Sequence, residues 1–216
     1  MTPDHHQANF DRIARPYRYL EYLTLGPLLQ RTRTHFLPLL LDRRQALIFG
    51  DGDGRFLAKL LAANPTLHAV AVDTSATMLQ LLCRRCSPHR IRLQTIKQNA
   101  LTFTPTGKVD LMVTHFFLDC LSQSEVDLLI TSLARHMSPD TLWLVSDFRI
   151  PVGPMRLPAR LYIRTLYLVF RLLTGLHTAQ LPDYETPLKR AGFSRTHQHL
   201  MLLGLLTTEL WTKRET

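Results

Sequence analysis

Between residues 45 and 148 short apolar runs alternate with longer stretches in which apolar residues recur every three or four positions. The runs Gln45 to Phe49, His68 to Val72, 91–98, 109–115 and 141–148 read as strands. Phe56, Leu57, Leu60 and Leu61 place a helix over 54–63, and similar spacing predicts helices over 75–86 and 122–137. Strands separated by helices argue a parallel sheet with right-handed crossovers. Ser122, with Glu125 three residues on, has the form of a capping box. Met137-Ser138-Pro139-Asp140 reads as the turn before the fifth strand. Residues 10–41 read as one or two helices broken near Gly26-Pro27. After Phe148, Pro151, Pro154 and Pro158 punctuate the way into an apolar, arginine-bearing segment from Leu157 to Leu176. Another helix begins around Leu181 to Glu185 and runs to Ala191-Gly192-Phe193, and 194–203 and 205–213 are β-rich.

The junction Ile48-Phe49-Gly50-Asp51-Gly52-Asp53-Gly54 has the order strand, glycine turn, helix. Such a unit cradles a nucleotide, because absent side chains let a ligand touch the backbone and a helix N-terminus offers N–H groups. Asp73, nineteen residues after Gly54, ends the next apolar run, where ribose hydroxyls are held in such folds. A dinucleotide fingerprint counted from Gly50 needs glycine at position 55. Arg55 stands there, so the pattern is G-x-G-x-G.

That pattern, with Asp73 after it, resembles the class I S-adenosylmethionine-dependent methyltransferases. Val72-Asp73-Thr74-Ser75-Ala76-Thr77-Met78-Leu79 is similar to the family's segment around the ribose-binding acid, and Gln98-Asn99-Ala100 to its adenine-side segment. Val109 to Val113 matches the family's fourth strand. Phe10-Asp11-Arg12-Ile13-Ala14 with Tyr17 is similar to the lead-in of the ubiquinone- and menaquinone-biosynthesis methyltransferases. The resemblance spans roughly residues 10 to 150. It implies an α/β fold with a doubly wound, seven-stranded, mostly parallel sheet, N-terminal helices (10–41), a cofactor-binding core (45–150), a helical substrate or lid region (151–192) and closing strands (193–216) forming an antiparallel hairpin at the sheet edge. It also implies S-adenosyl-L-methionine as cofactor and S-adenosyl-L-homocysteine as product. Tyr17, Gly50, Asp51, Gly52, Asp53, Gly54, Asp73, Thr74, Met78, Asn99, Ala100 and His115 are then the expected cofactor contacts. The family commonly has an acid two residues before the first glycine, and Ile48 stands there. Asp51 and Asp53 are the replacements at hand, and Asp53 reads equally as a helix cap or as a carboxylate facing the cofactor's ammonium group.

In an open α/β sheet ligands sit at the carboxyl ends of the strands. That rule gathers the glycine turn, Asp73, Asn99 and the stretch Thr114-His115-Phe116-Phe117-Leu118-Asp119-Cys120 around one crevice. Methyl transfer needs a base only when the acceptor is protonated. His115 and Asp119 are the candidate catalytic residues, with Phe116, Phe117, Asp147, Arg149, Arg160 and Arg164 on the acceptor side. Arg156, Arg160, Arg164 and Arg171 draw a cationic stripe along the 156–176 helix. A greasy substrate, a membrane-surface landing, a lid and a core helix with a solvated edge are its competing readings.

Composition narrows these readings. The chain has 216 residues, 45% of them hydrophobic, enough for one folded domain. No run is long and uncharged enough to span a bilayer and the first residues hold no signal-peptide core, so cytoplasmic residence is the expectation. Lys and Arg outnumber Asp and Glu 26 to 17, a net +9, but the positive charge is spread over helices without interleaved aromatics. A small-molecule acceptor is therefore expected ahead of the alternatives, an RNA methyltransferase or a non-catalytic cofactor-binding partner protein. Cys83 and Cys86 form one C-x-x-C near His89. Without two further ligands they read as structural thiols, and no metal site is expected.

Overall fold

A computed structural model of the chain describes residues 25–174 and 180–214. Seven strands form one sheet: β1 (Gln45–Phe49), β2 (His68–Asp73), β3 (Leu93–Lys97), β4 (Val109–His115), β5 (Met137–Phe148), β6 (Phe193–Met201) and β7 (Leu206–Lys213). Their order is β3-β2-β1-β4-β5-β7-β6. The pairs β1–β2, β1–β4, β2–β3 and β4–β5 are parallel, whereas β7 runs antiparallel to both β5 and β6. The β6–β7 hairpin thus closes one edge, with β7 inserted between β5 and β6. The strand order reverses between β1 and β4, which opens a crevice at their carboxyl ends.

Alternation along β1 shows how the sheet is covered. Ala46 and Ile48 join Phe56, Leu57, Leu60 and Leu61 of α2 (Arg55–Ala63) and Leu82 of α3 (Ala76–Arg85) on one face. Leu47 and Phe49 join Trp143, Trp211 and Val126, Leu129, Ile130 and Leu133 of α4 (Gln123–Ala134) on the other. Leu57, Leu60 and Leu61 are fully buried, each stabilising the fold by about 2 kcal/mol. Ser122 and Glu125 form the expected capping box on α4.

Before the sheet lies α1 (Gly26–Thr34), with Pro27 in its first turn. The expected helix N-terminal to residue 25, and Tyr17 with it, lie outside the described residues. The turn expected over 137–140 is instead the start of β5. Asp140 takes φ +64° and the β4–β5 register shifts between Val109 and Leu111, so Pro139 and Asp140 are absorbed as a bulge. After β5 come the cap helix α5 (Arg156–Thr174) and α6 (Glu185–Arg190). Ala159, Ile163 and Tyr167 of α5 pack with Leu205 and against Cys120, Phe148 and Ile150, seating the cap beside the strand tips.

Gly50 is where the fold tolerates least. Its φ is +75°, and a Cβ there would lie 2.4 Å from the His115 carbonyl oxygen, whereas one on Gly52 would meet nothing within 4 Å. In urea unfolding, Gly50→Ala is expected to cost about 3 kcal/mol or more and Gly52→Ala about 1 kcal/mol. Equal costs would contradict this packing.

Candidate active site

The glycine turn is organised by Asp51. Its buried carboxylate accepts the backbone N–H groups of Phe56 (3.2 Å, Oδ1) and Leu57 (2.9 Å, Oδ2), the first-turn donors of α2. Asp51, not Asp53, is therefore the residue that caps this helix, which corrects the cap reading of Asp53. Asp53 pairs instead with two arginines, its Oδ2 2.7 Å from Arg85 and 3.1 Å from Arg55. Burial raises the Asp51 carboxyl to about 7, against the lowering effect of the Leu57 N–H, the Arg33 charge and the Phe56 N–H.

Arg33 is the residue that the sequence reading missed. It reaches in from α1, is 4% exposed, and places its guanidinium 5.1 Å from the centre of the Phe116 ring. A signal was present: Leu29, Arg33, Phe36 and Leu40 fall at helical spacing, so Arg33 occupies a core position on an apolar stripe.

His115 does not line the crevice. Alternation on β4 puts it on the α2 face with Leu111 and Val113, its ring edge-on to Phe56 at 4.5 Å. It is fully buried, and neither ring nitrogen has a hydrogen-bond partner among the described residues. Burial, with the charge of Arg33, lowers its pKa well below the usual histidine value, so the ring is neutral. With no exposed surface it can neither reach an acceptor proton nor touch a ligand in the crevice, and both roles expected of it are withdrawn.

At the tip of β2, Asp73 is half-buried and accepts the Ser75 N–H through Oδ1 (2.8 Å). Ser75 itself caps α3 by accepting from the Met78 N–H (3.1 Å). Thr74 is half-buried beside them, and Met78 is buried. After β3, Asn99 accepts the Leu101 N–H (2.8 Å) in a turn that orients its amide, and Ala100 is buried behind it.

The tips of β4 and β5 bring two carboxyl groups together. The Asp119 N–H donates to Asp147 Oδ2 (3.2 Å) and the Phe148 N–H to Asp147 Oδ1 (2.8 Å). Cys120 Sγ lies 3.5 Å from Asp119 Oδ1, and the Tyr167 hydroxyl donates to the Asp119 carbonyl (2.9 Å), tying the cap to this point. Burial pushes Asp119 up to about 6, and burial plus the neighbouring Asp119 charge pushes Asp147 well above the usual carboxylate range. Phe116, at φ +47°, sets its ring 5.2 Å from Phe148, and Phe117 stacks on Phe49 at 5.5 Å. Arg149 is half-buried, its N–H on the Leu205 carbonyl. Arg160 and Arg164, by contrast, are exposed on the outer side of α5, away from Ala159, Ile163 and Tyr167, and take no part in this cluster.

A family model described as a methyltransferase domain matches residues 46–140, the span from β1 into β5 that carries the glycine turn, Asp73, Asn99 and Asp119. No curated protein matches the sequence. Among solved structures the chain is similar to the mitomycin 7-O-methyltransferase MmcR, at 18% identity and TM-score 0.69, over 97% of this chain and 64% of that one. It is also similar to an O-methyltransferase family protein from Burkholderia thailandensis (14%, TM-score 0.72, 98% and 66%). A third is N-methyltransferase NodS from Bradyrhizobium japonicum WM9, in complex with S-adenosyl-L-homocysteine (16%, TM-score 0.64, 87% and 88%). This chain thus spans about two thirds of the length of the first two. The fold is the Rossmann-like methyltransferase fold.

The paired carboxyls set a pH dependence. Their folded-state pKa values lie above the unfolded value of about 3.9, so the native state binds more protons and this stabilisation is lost as pH rises through about 6. Asp147→Asn is expected to flatten the fall in stability between pH 4 and 8. Thermal denaturation across that range checks it, and an unchanged slope would contradict the pairing.

Proposed function

We propose that this protein transfers a methyl group from S-adenosyl-L-methionine to a small, hydrophobic or quinone-like acceptor. The observation that carries the reading is the occupation of the α2 N-terminus. In phosphate- and dinucleotide-binding loops that helix end is left for the ligand's phosphate. Here the Asp51 carboxylate already takes the Phe56 and Leu57 N–H groups. The turn therefore fits a nucleoside without phosphate, and a cationic ligand better than an anionic one. Gly52 leaves open space against the backbone where a larger residue would fill it.

In this reading Asp73 binds the ribose hydroxyls, with Thr74 beside it, while Asn99 and the Ala100 segment hold the adenine edge. Bound there, the cofactor supplies an activated sulfonium methyl group. The chain's own residues supply position and proton handling. Phe116, Phe117 and Phe148 make an apolar wall at the tips of β4 and β5. The Asp119–Asp147 pair sits where an acceptor hydroxyl would lose its proton, and with one carboxyl ionising near pH 6 it can accept one at neutral pH. Tyr167 fixes the Asp119 backbone from the cap, which closes the acceptor side from water. The 1–216 chain then works as one methyltransferase domain with the 151–192 region as its acceptor cover.

Isothermal titration calorimetry with S-adenosyl-L-homocysteine tests this directly. Binding is expected, weakened by about thirtyfold or more in Asp73→Ala, with no heat from NAD at the same concentration. Absence of S-adenosyl-L-homocysteine binding by the native chain would overturn the reading. With an acceptor in hand, kcat should rise through about pH 6 and fall by about a hundredfold in Asp119→Asn.

A further inference from the structure

We propose that the outer face of α5 docks the protein on an anionic lipid surface. Successive residues of a helix are rotated by about 100°. With Ala159, Ile163 and Tyr167 turned inward, Arg160, Arg164 and Arg171 fall along one flank, and Leu157, Leu161 and Leu168 along the strip next to it. All six are exposed, Leu157, Leu161 and Leu168 by 76%, 68% and 58%. Two further exposed apolar residues lie near the Pro151–Gly204 contact. Gly204 sits against Pro151, and the neighbours of that contact, Val152 and Leu203, are 82% and 73% exposed.

A row of leucines standing in water needs a partner, and the charge around it selects one. The sequence has no Asp or Glu between Asp147 and Asp183, while Arg149, Arg156, Arg160, Arg164 and Arg171 all lie in that interval. A second copy of the chain would bring the same positive face against itself, which is repulsive. A nucleic acid would engage the arginines and leave the leucines uncovered. An anionic bilayer satisfies both strips at once, its headgroups taking the guanidinium groups while the leucines enter the acyl boundary. No described helix is long and apolar enough to cross a membrane, so the contact is a landing in the surface plane. The landing face lies on the same helix whose Tyr167 touches the carbonyl of Asp119, so the cap would meet the lipid directly above the acceptor side.

Vesicle co-sedimentation of the full chain tests this without cofactor or acceptor, so its outcome stands apart from the methyl-transfer reading. Binding is expected to phosphatidylcholine vesicles containing phosphatidylglycerol and to be much weaker to phosphatidylcholine alone. Each surface arginine contributes about a fivefold change in partition, so Arg160→Gln with Arg164→Gln should lower binding by about twenty-fivefold. Leu161→Ser with Leu168→Ser should lower it too, whereas the exposed control pair Arg84→Gln with Arg135→Gln should leave it unchanged. Absence of binding, an equal loss in the control pair, or a dimer in sedimentation velocity that the leucine variant dissolves would each overturn the proposal. So would tight binding of a single-stranded RNA in place of vesicles.

Discussion

The carboxylate of Asp51, buried at the head of α2, is the interaction around which the strand tips are arranged. A buried charge survives only where donors and opposite charge compensate its lost hydration. Here the compensation comes from the Phe56 and Leu57 N–H groups, with the charge of Arg33 from α1 adding to it. That requirement binds three elements that are far apart in the chain. The glycine turn is fixed to its helix, α1 is drawn over the tip of β4, and the turn presses on the His115 carbonyl so closely that only glycine fits at position 50. Because the helix end is satisfied from within, the open side of the turn is left with backbone and space. This geometry suits an uncharged or cationic nucleoside.

A second buried acid cluster lies at the tips of β4 and β5. Asp119 and Asp147 are held by backbone N–H groups and by the cap tyrosine, in surroundings that favour a shared proton over two charges. The two clusters differ in kind. Asp51 accepts two N–H groups from the helix it heads, whereas Asp119 lies beside Asp147 and raises its proton affinity.

Most of the architecture was legible in the sequence because its causes are local. Period-two and period-3.6 patterns marked the strands and helices, and Ser122 declared a helix start with the bonds expected of it. What failed depended on contacts between distant segments. Asp51 and Asp53 are two residues apart with the same side chain, and which one caps α2 is decided by Arg85, thirty-two residues on, capturing Asp53. His115 stood where a base is wanted, yet alternation on β4 sends it under Phe56. Arg160 and Arg164 belonged to the correct helix, but a stripe repeating every four residues does not reveal which face turns inward until Ile163 and Tyr167 are packed. The bulge at Asp140 needed knowledge of the β4 register. Arg33 was the error that could have been avoided, since its place on the Leu29, Phe36 and Leu40 stripe was visible throughout.

A crystal structure with S-adenosyl-L-homocysteine bound tests the central claim most directly. The account predicts ribose hydroxyls on the Asp73 carboxylate, adenine beside Asn99 and Ala100, and Asp51 still bonded to the Phe56 and Leu57 N–H groups. A nucleoside seated elsewhere, or a ligand group displacing Asp51 from the head of α2, would contradict it.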